Sequence, residues 1–424
     1  MKTTSSELSL GQGKSARNLR MTIRLSSALF VLFLLTYGVS AQTPFTGTIT
    51  RTTIKSSVLG EDRQVLISTP AGYETNKRSY PVLYLTDGDA HIAHTASTIE
   101  FLARNGRMSQ LIVVGIPNTD RTRDLSPVKA TAKNAEGALQ FPTSGGADNF
   151  LKFIETELIP EVEKNYRVKP YRILAGHSLG GLFTIHALMA RPGVFNSYVA
   201  VSPALQWENR EALKRAEWFF NKQKELNSTL YVSLGNEPGA IGESFDSFKQ
   251  LLEKVQIKDF QWQADRMSNE DHGSVVMPSH YAGLRKIYDG WLMPRDPANG
   301  TVVGGLKGAE EHYQKLSRRF GYTIEVPENL INQIGYQQLF AGQVDEAVAT
   351  FKTNVERYPA SANVYDSLAE AYEKSGKIEL ARPLYEKAQM LGQQNNDPNT
   401  AIYKANFQRV SEKTREAQAA KKNQ

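Results

Sequence analysis

Apolar positions along this chain fall into two recurring patterns as far as Leu292. Runs such as Tyr80-Pro-Val-Leu-Tyr-Leu85 and Leu111-Ile-Val-Val-Gly-Ile116 leave no polar face. They predict strands buried on both sides of a sheet. Ile173 to Ala175, Tyr198 to Ser202, Thr229 to Leu234 and Phe260 to Met267 read the same way. Between the runs lie stretches with helical spacing: Thr98 to Arg104, Phe150 to Tyr166, Leu182 to Ala190, Arg210 to Lys222, Phe245 to Val255 and Met277 to Leu292. Thr48 to Ser57 and Arg63 to Thr69, rich in β-branched residues, predict an antiparallel opening. Strands alternating with helices after such a start predict an α/β fold with a mostly parallel, doubly wound sheet. In that architecture ligands sit at the carboxyl ends of the strands.

The pattern changes after Leu292. Met293 to Lys307 is rich in Pro and Gly and aperiodic, as expected of a linker. From Ala309 the spacing is helical, and positions repeat at a fixed offset: Ile334 with Leu368, Gly342 with Gly376, Ala347 with Ala381, Phe351 with Tyr385. Small residues at helix crossings, an aromatic four positions on and Pro359 as a stop resemble the tetratricopeptide repeat. Either a plain helical stack or a partner-binding groove fits so short an array. Gln393 onward is polar and predicts a frayed or partly helical tail. The division expected is an export signal at 1–41, an α/β domain at 42–295, a linker at 296–308, a small all-helical region at 309–395 and a polar tail at 396–424. The signal rests on Arg17, Arg20 and Arg24, the apolar run Leu25 to Val39, and small residues at Val39-Ser40-Ala41. Met21 is an alternative start, and an uncleaved anchor the alternative fate.

Composition narrows the chemistry. The chain has 424 residues, 40% of them hydrophobic, enough to build a sizeable core. It has no cysteine, which excludes disulfides, thiolate metal sites and a cysteine nucleophile. Its formal charge is +6, of which residues 1–41 carry +4, leaving +2 and no basic face for nucleic acid.

Gly176-His177-Ser178-Leu179-Gly180 lies between a predicted strand and a predicted helix. A G-x-S-x-G in that setting is a nucleophile elbow: a sharp turn presenting a serine above the sheet edge. A serine hydroxyl needs a base, and the base needs an orienting acid. His272, in the polar loop Asn269 to Ser274 after the last strand, is the expected base. His280, at a helix start, is the weaker choice; His186 sits inside the elbow helix and His312 beyond the linker. The acid belongs after the strand ending at Leu234, where Glu237 stands, with Asp246 the alternative. Oxyanion donors are expected from the N–H groups of Leu179 and of Asp89, the latter in Thr86-Asp-Gly-Asp-Ala-His91. Asp87, Asp89, His91 and His94 form a competing candidate for a divalent metal, but the loop position already has a task. We expect no metal or organic cofactor. Arg121 and Arg123 are candidates for binding an anionic or catechol substrate; the alternative is an Arg–Asp pair with Asp124 that braces the loop. The irregular stretch Asn118 to Asp148 is expected to shape the substrate pocket.

Tyr80-Pro-Val-Leu-Tyr-Leu-Thr-Asp-Gly-Asp-Ala-His91, Gly-His-Ser-Leu-Gly-Gly181, the late Asp-His-Gly273 and Ile116-Pro-Asn-Thr-Asp-Arg-Thr-Arg-Asp-Leu-Ser-Pro127 resemble the "putative esterase" family of α/β-hydrolases. The likeness spans Thr48 to Leu292 and is strongest to the enterochelin-esterase-like branch, with S-formylglutathione hydrolases among the wider relatives. It implies cleavage of carboxylic esters by Ser178 and His272, with oxyanion donors at Asp89 and Leu179. It also admits a Ser/His pair without a fixed acid. The expectation is a secreted or periplasmic serine esterase acting on siderophore-type or aromatic acyl esters. A peptidase or thioesterase with the same triad, and a non-catalytic scaffold using the repeats, are the alternatives. The partners expected are a small-molecule ester and a protein docked on the helices, with no membrane contact after signal cleavage.

Overall fold

In the computed structural model, residues 47–422 are described; the segment 1–41, read as an export signal, lies outside them. Among the described residues the strands are β1 Thr48–Ser56, β2 Glu61–Thr69, β3 Tyr80–Thr86, β4 Ile112–Ile116, β5 Val168–His177, β6 Ser197–Val201, β7 Glu225–Leu234 and β8 Lys258–Arg266. They form one sheet in the order β1-β2-β4-β3-β5-β6-β7-β8. β2 pairs antiparallel with β1 and β4, and all other neighbours run parallel. This is the predicted doubly wound sheet with an antiparallel opening. The edge strand β1 is largely exposed and carries Arg51 and Lys55, charges that discourage a further strand from adding there.

The helices of the α/β part are α1 Gly88–Arg104, α2 Arg121–Leu125, α3 Ala147–Phe153, α4 Ile159–Asn165, α5 Leu179–Ala190, α6 Trp207–Lys222, α7 Ala240–Lys254 and α8 Val276–Ile287. Alternation along each strand feeds two cores. Leu83, Leu85, Ile173 and Ala175 face α1 and α8. Tyr84 and Leu174 face the other way, toward Phe150, Phe183, Phe220 and Phe248 of α3, α5, α6 and α7. α1 starts well before the predicted Thr98. Its first turns bury Thr95 beside Ile92 and Ala96, and two histidines interrupt the apolar period. The stretch Phe150 to Tyr166 is not one regular helix. A π turn at Ile154–Leu158 joins α3 to α4 just ahead of Pro160, which has no N–H to continue an α-helical ladder.

Beyond the sheet come α9 Gly305–Phe320, α10 Glu328–Phe340, α11 Val344–Arg357, α12 Ala362–Lys374, α13 Ile378–Gln394 and α14 Thr400–Lys422. α10 and α12 start 34 residues apart, as do α11 and α13. The repeated positions Ala347, Phe351, Ala381 and Tyr385 are all fully buried. One expectation changes here. The stretch read as a linker contains an antiparallel bridge between Arg295 and Val302, and Val302 packs with Met293, Ala309 and Ile331. Of the two readings of the polar tail, frayed or partly helical, the structure has the helical one, as α14. Tyr403, Val410 and Thr414 recur on one buried face, and Arg409 and Lys413 pair with Glu373 of α12. Three inward positions in so polar a segment leave its composition tail-like.

The helical region and the sheet share a core. Phe320 ends α9 with its ring 4.8 Å from Tyr171, 5.0 Å from Tyr288 and 5.4 Å from Trp291. Arg319 donates to the carbonyl oxygens of Ile287, at 2.7 Å, and Asp289. Truncating a buried aromatic removes its transfer free energy and leaves a cavity, so Phe320→Ala should cost about 3–5 kcal/mol. A urea titration showing no shift in the unfolding midpoint would refute the shared core.

Candidate active site

Three loops at the carboxyl ends of β3, β5 and β7, with a fourth after β8, converge on one place. The turn between β5 and α5 carries Ser178 at φ 58°, ψ −113°, a sparsely populated region for a residue with a side chain. Its backbone is fixed on both sides. The Ser178 N–H donates to Val201 O at 2.9 Å, and its carbonyl accepts from Leu182 and Ala204 at 3.0 and 3.1 Å. The flanking glycines are forced by space. A Cβ on Gly176 would overlap the Gly180 carbonyl, and one on Gly180 would overlap Thr86 Oγ1.

His272 sits in the loop between β8 and α8. The Asp271 carboxylate accepts the N–H groups of Gly273 at 2.9 Å and Ser274 at 2.7 Å, curling the loop. Those donors hold the Asp271 carboxyl below its usual range. The His272 ring lies 4.6 Å from that of His177, beside the turn that carries Ser178. Its Nδ1 is 2.5 Å from Oε2 of Glu237. The other Glu237 oxygen accepts from Ser202 Oγ at 2.6 Å and from the Gly235 N–H at 3.2 Å. The buried carboxylate thus has partners for both oxygens, and the imidazole proton belongs on Nδ1, leaving Nε2 free to accept. Asp246, the alternative acid, instead pairs with Arg266, 2.8 Å away on the exposed side of α7.

Leu179 is the first residue of α5 and Asp89 the second of α1. First-turn N–H groups have no partner within their own helix, and both helix ends favour negative charge. Asp87, at φ 53°, makes the sharp turn into α1. Its Oδ1 accepts from Asn118 and Arg121, each at 2.6 Å, and its Oδ2 from Arg121 at 3.0 Å. Arg121 also reaches the His177 carbonyl at 3.1 Å, tying the β3 loop to the serine turn. Arg123 is committed to Glu61 and Asp124, at 2.5 and 2.7 Å. Both arginines, read as candidates for substrate contact, are therefore engaged by protein carboxylates, and the geometry favours bracing. Asp87, from the metal alternative, is likewise occupied.

The remaining histidines separate clearly. His186 pairs with Asp148 at 2.9 Å, and His312 Nε2 approaches Trp291 O at 3.1 Å. His91, His94, His177 and His280 instead form a partly buried file behind His272, with only His280 fully buried and ring centroids 5.3–6.3 Å apart. Sequence reasoning missed the parts played by Ser202, Asn118 and His177. A signal existed for Ser202, the polar residue ending a buried strand before Pro203.

The sequence model of a family described as "Putative esterase" matches residues 56–281, just over half of the chain. The chain belongs to this esterase family. It is a carboxylic ester hydrolase with the α/β-hydrolase fold. Among its relatives is the ferri-bacillibactin esterase BesA of Bacillus subtilis, 29% identical over 216 residues, covering 46% of this chain and 75% of the relative. The siderophore enterobactin esterase of Emericella nidulans is 29% identical over 259 residues, 50% of this chain and 83% of the relative. Among solved structures, an IroE-like serine hydrolase from Shewanella oneidensis superposes with a TM-score of 0.64 at 26% identity, covering 73% of this chain and all of that one.

The histidine file makes stability sensitive to acid. Burial pulls His177 from 6.5 to about 4, helped by His272 and His91. Burial also lowers His91, His94, His186 and, most strongly, His280. A histidine depressed in the folded state stabilises the fold above its unfolded value and stops doing so as the pH falls through its folded value. For His177 that window runs from 6.5 down to about 4. Asp366 opposes the trend: burial pushes it up to about 6, so protonating it favours the fold. Asp366 acts against the five histidines and, toward the lower end, against Glu61, Asp271 and Glu373, whose carboxyls lie below their ordinary values. The Tm should therefore fall steadily as the pH is lowered through this window. A flat or rising Tm by circular dichroism over the same range would contradict the sign.

Proposed function

We propose that this chain is an exported serine esterase that cleaves siderophore-type or aromatic acyl esters through an acyl-enzyme on Ser178. The observation that carries the reading is the 2.5 Å contact between His272 and a buried Glu237, beside the strained turn bearing the serine. Ser178 Oγ adds to the ester carbonyl carbon while its proton passes to His272 Nε2. The carbonyl oxygen becomes an oxyanion held by the N–H groups of Leu179 and Asp89. As it collapses, the ester C–O bond breaks and His272 protonates the departing alkoxide. Water then adds to the acyl carbon, its proton taken by the same nitrogen, and the acid leaves with Ser178 restored. Glu237 holds the imidazole in the required tautomer and stabilises the imidazolium that forms.

The substrate class follows the relatives, a ferri-bacillibactin esterase and a siderophore enterobactin esterase. Export follows the basic, apolar and small-residue sequence at 1–41. The stretch Asn118 to Asp148 is proposed to line the pocket. Trp207, near the serine turn, donates to Val128 O at 3.1 Å, and Glu208 anchors Thr131. The tetratricopeptide likeness of the helical region rests on its 34-residue helix offset, and partner binding there is a separate proposal.

Purified protein should hydrolyse p-nitrophenyl esters and a catechol siderophore ester, with little action on peptides or thioesters. Ser178→Ala and His272→Ala should abolish this. Glu237→Gln, which gives the base the wrong partner, should lower kcat by about 10⁴-fold, with Asp246→Asn unchanged. Undiminished turnover in Glu237→Gln would leave a Ser/His pair without an acid; undiminished turnover in Ser178→Ala would remove the mechanism.

A further inference from the structure

The residue before the serine is free to vary in the G-x-S-x-G pattern, and here it is His177. Its ring is tilted 47° to the His272 ring at 4.6 Å and meets His91 edge-on, at 84° and 5.9 Å. Behind His91 the file continues. His91 Nδ1 lies 3.1 Å from His94 Nε2, His94 stacks on His280 at 5.5 Å, and His280 Nδ1 is 2.9 Å from Thr95 Oγ1. The file begins on α1, whose first turn carries Asp89, and ends on α8, which follows the His272 loop directly.

The two rings are held very differently. His177 is the last residue of β5, registered opposite Val201, with its carbonyl fixed by Arg121. His272 is on a loop and its side chain is 44% exposed, with the Glu237 contact as its side-chain hydrogen bond. A ring held at one nitrogen can still swing about that bond and carry Nε2 away from the serine. A rigid ring against its face removes that freedom. We propose that His177 is a positioning residue that fixes the plane of the His272 imidazole, with His91 wedged behind it. This inference rests on the proposed roles of Ser178, His272 and Glu237.

Two features fit that role. A wall beside the base must be uncharged when the imidazolium forms, and burial, with His272 and His91 next, keeps His177 neutral down to about pH 4. At Nε2 the wall works by shape, because that atom is buried with no hydrogen-bond partner, while a hydrogen bond to the His272 backbone ties the ring to the loop it supports. A flat apolar ring would keep the shape of the wall, with no loss at Nε2 and with loss only of the tie to the His272 backbone.

The test compares His177→Ala, His177→Leu and His177→Phe, each checked for a native circular dichroism spectrum, with Ser178→Ala and His272→Ala as controls. Freeing the base should lower kcat in His177→Ala by about 10- to 100-fold at nearly constant KM. Labelling of Ser178 by a fluorophosphonate should slow in parallel. His177→Phe should recover most of the rate, which a merely structural role would not require. If His177→Ala fails to fold, His177→Leu against His177→Phe makes the same comparison between a bulky and a flat wall. A kcat for His177→Ala within about twofold of the parent, or a His177→Phe no faster than the Ala or Leu variant, would overturn the inference. Activity persisting in Ser178→Ala or His272→Ala would instead strike the reading of the site itself.

Discussion

The close approach of β3 and β5 at their carboxyl ends is the constraint on which the site depends. Thr86, the last residue of β3, lies where side chains on the Gly176–Gly180 turn would otherwise be. Neither glycine has room for a Cβ, so the chain must reverse within the turn, and Ser178 takes up the positive φ that results. Such a conformation costs on the order of 1–3 kcal/mol and persists only where its surroundings over-determine it. Here they do, through three main-chain hydrogen bonds to Ser178 and through the sheet register on either side. The same adjacency brings the first turns of α1 and α5 side by side. Two helix N-termini are thereby brought close together, and such ends favour negative charge.

Around that point every buried carboxylate is matched to donors. Asp87 is met by Arg121 and Asn118, and Glu237 by Ser202, Gly235 and His272. The pairing matters because an unmatched buried charge would cost more than the fold could offset and would repel the oxyanion. Arg121 is the clearest instance. A cation next to an ester site invites a reading as a substrate ligand, but this one joins two loops, through the Asp87 carboxylate and the His177 carbonyl.

Much of this was legible in the sequence because it depends on local order. The strand–turn–helix at Ser178, the loop position of His272 and the acid slot after β7 follow from periodicity and chain order. What stayed hidden depends on contacts between distant segments. Ser202 is an ordinary strand-end serine until Glu237, 35 residues on, accepts its hydroxyl proton. His177 has no meaning in a five-residue pattern until β8 returns His272 to its face. The early start of α1 stayed hidden because its buried face includes Thr95, Thr98 and Glu100, so burial does not track hydropathy; Tyr403 and Thr414 do the same in α14. Arg123 shows the converse, since sequence proximity to the site says nothing of the Glu61 carboxylate waiting on β2.

The position of the helical region follows from the same geometry. Its anchor, Phe320, packs on Tyr171, near the start of β5, whereas Ser178 follows that strand's end. At about 3.3 Å per residue, the intervening strand separates anchor and serine by roughly 20 Å. Tyr288 and Trp291, which follow the C-terminal end of α8, complete the anchor. α8 begins just after the His272 loop and runs back along the sheet, so its far end lies at the strands' amino ends. Arg78 and Ser79, just before β3, line a cleft with Glu325 and Asn329 of the helical region, at that same end of the sheet. Six helices are thus attached opposite the catalytic loops, leaving the carboxyl-end face to substrate.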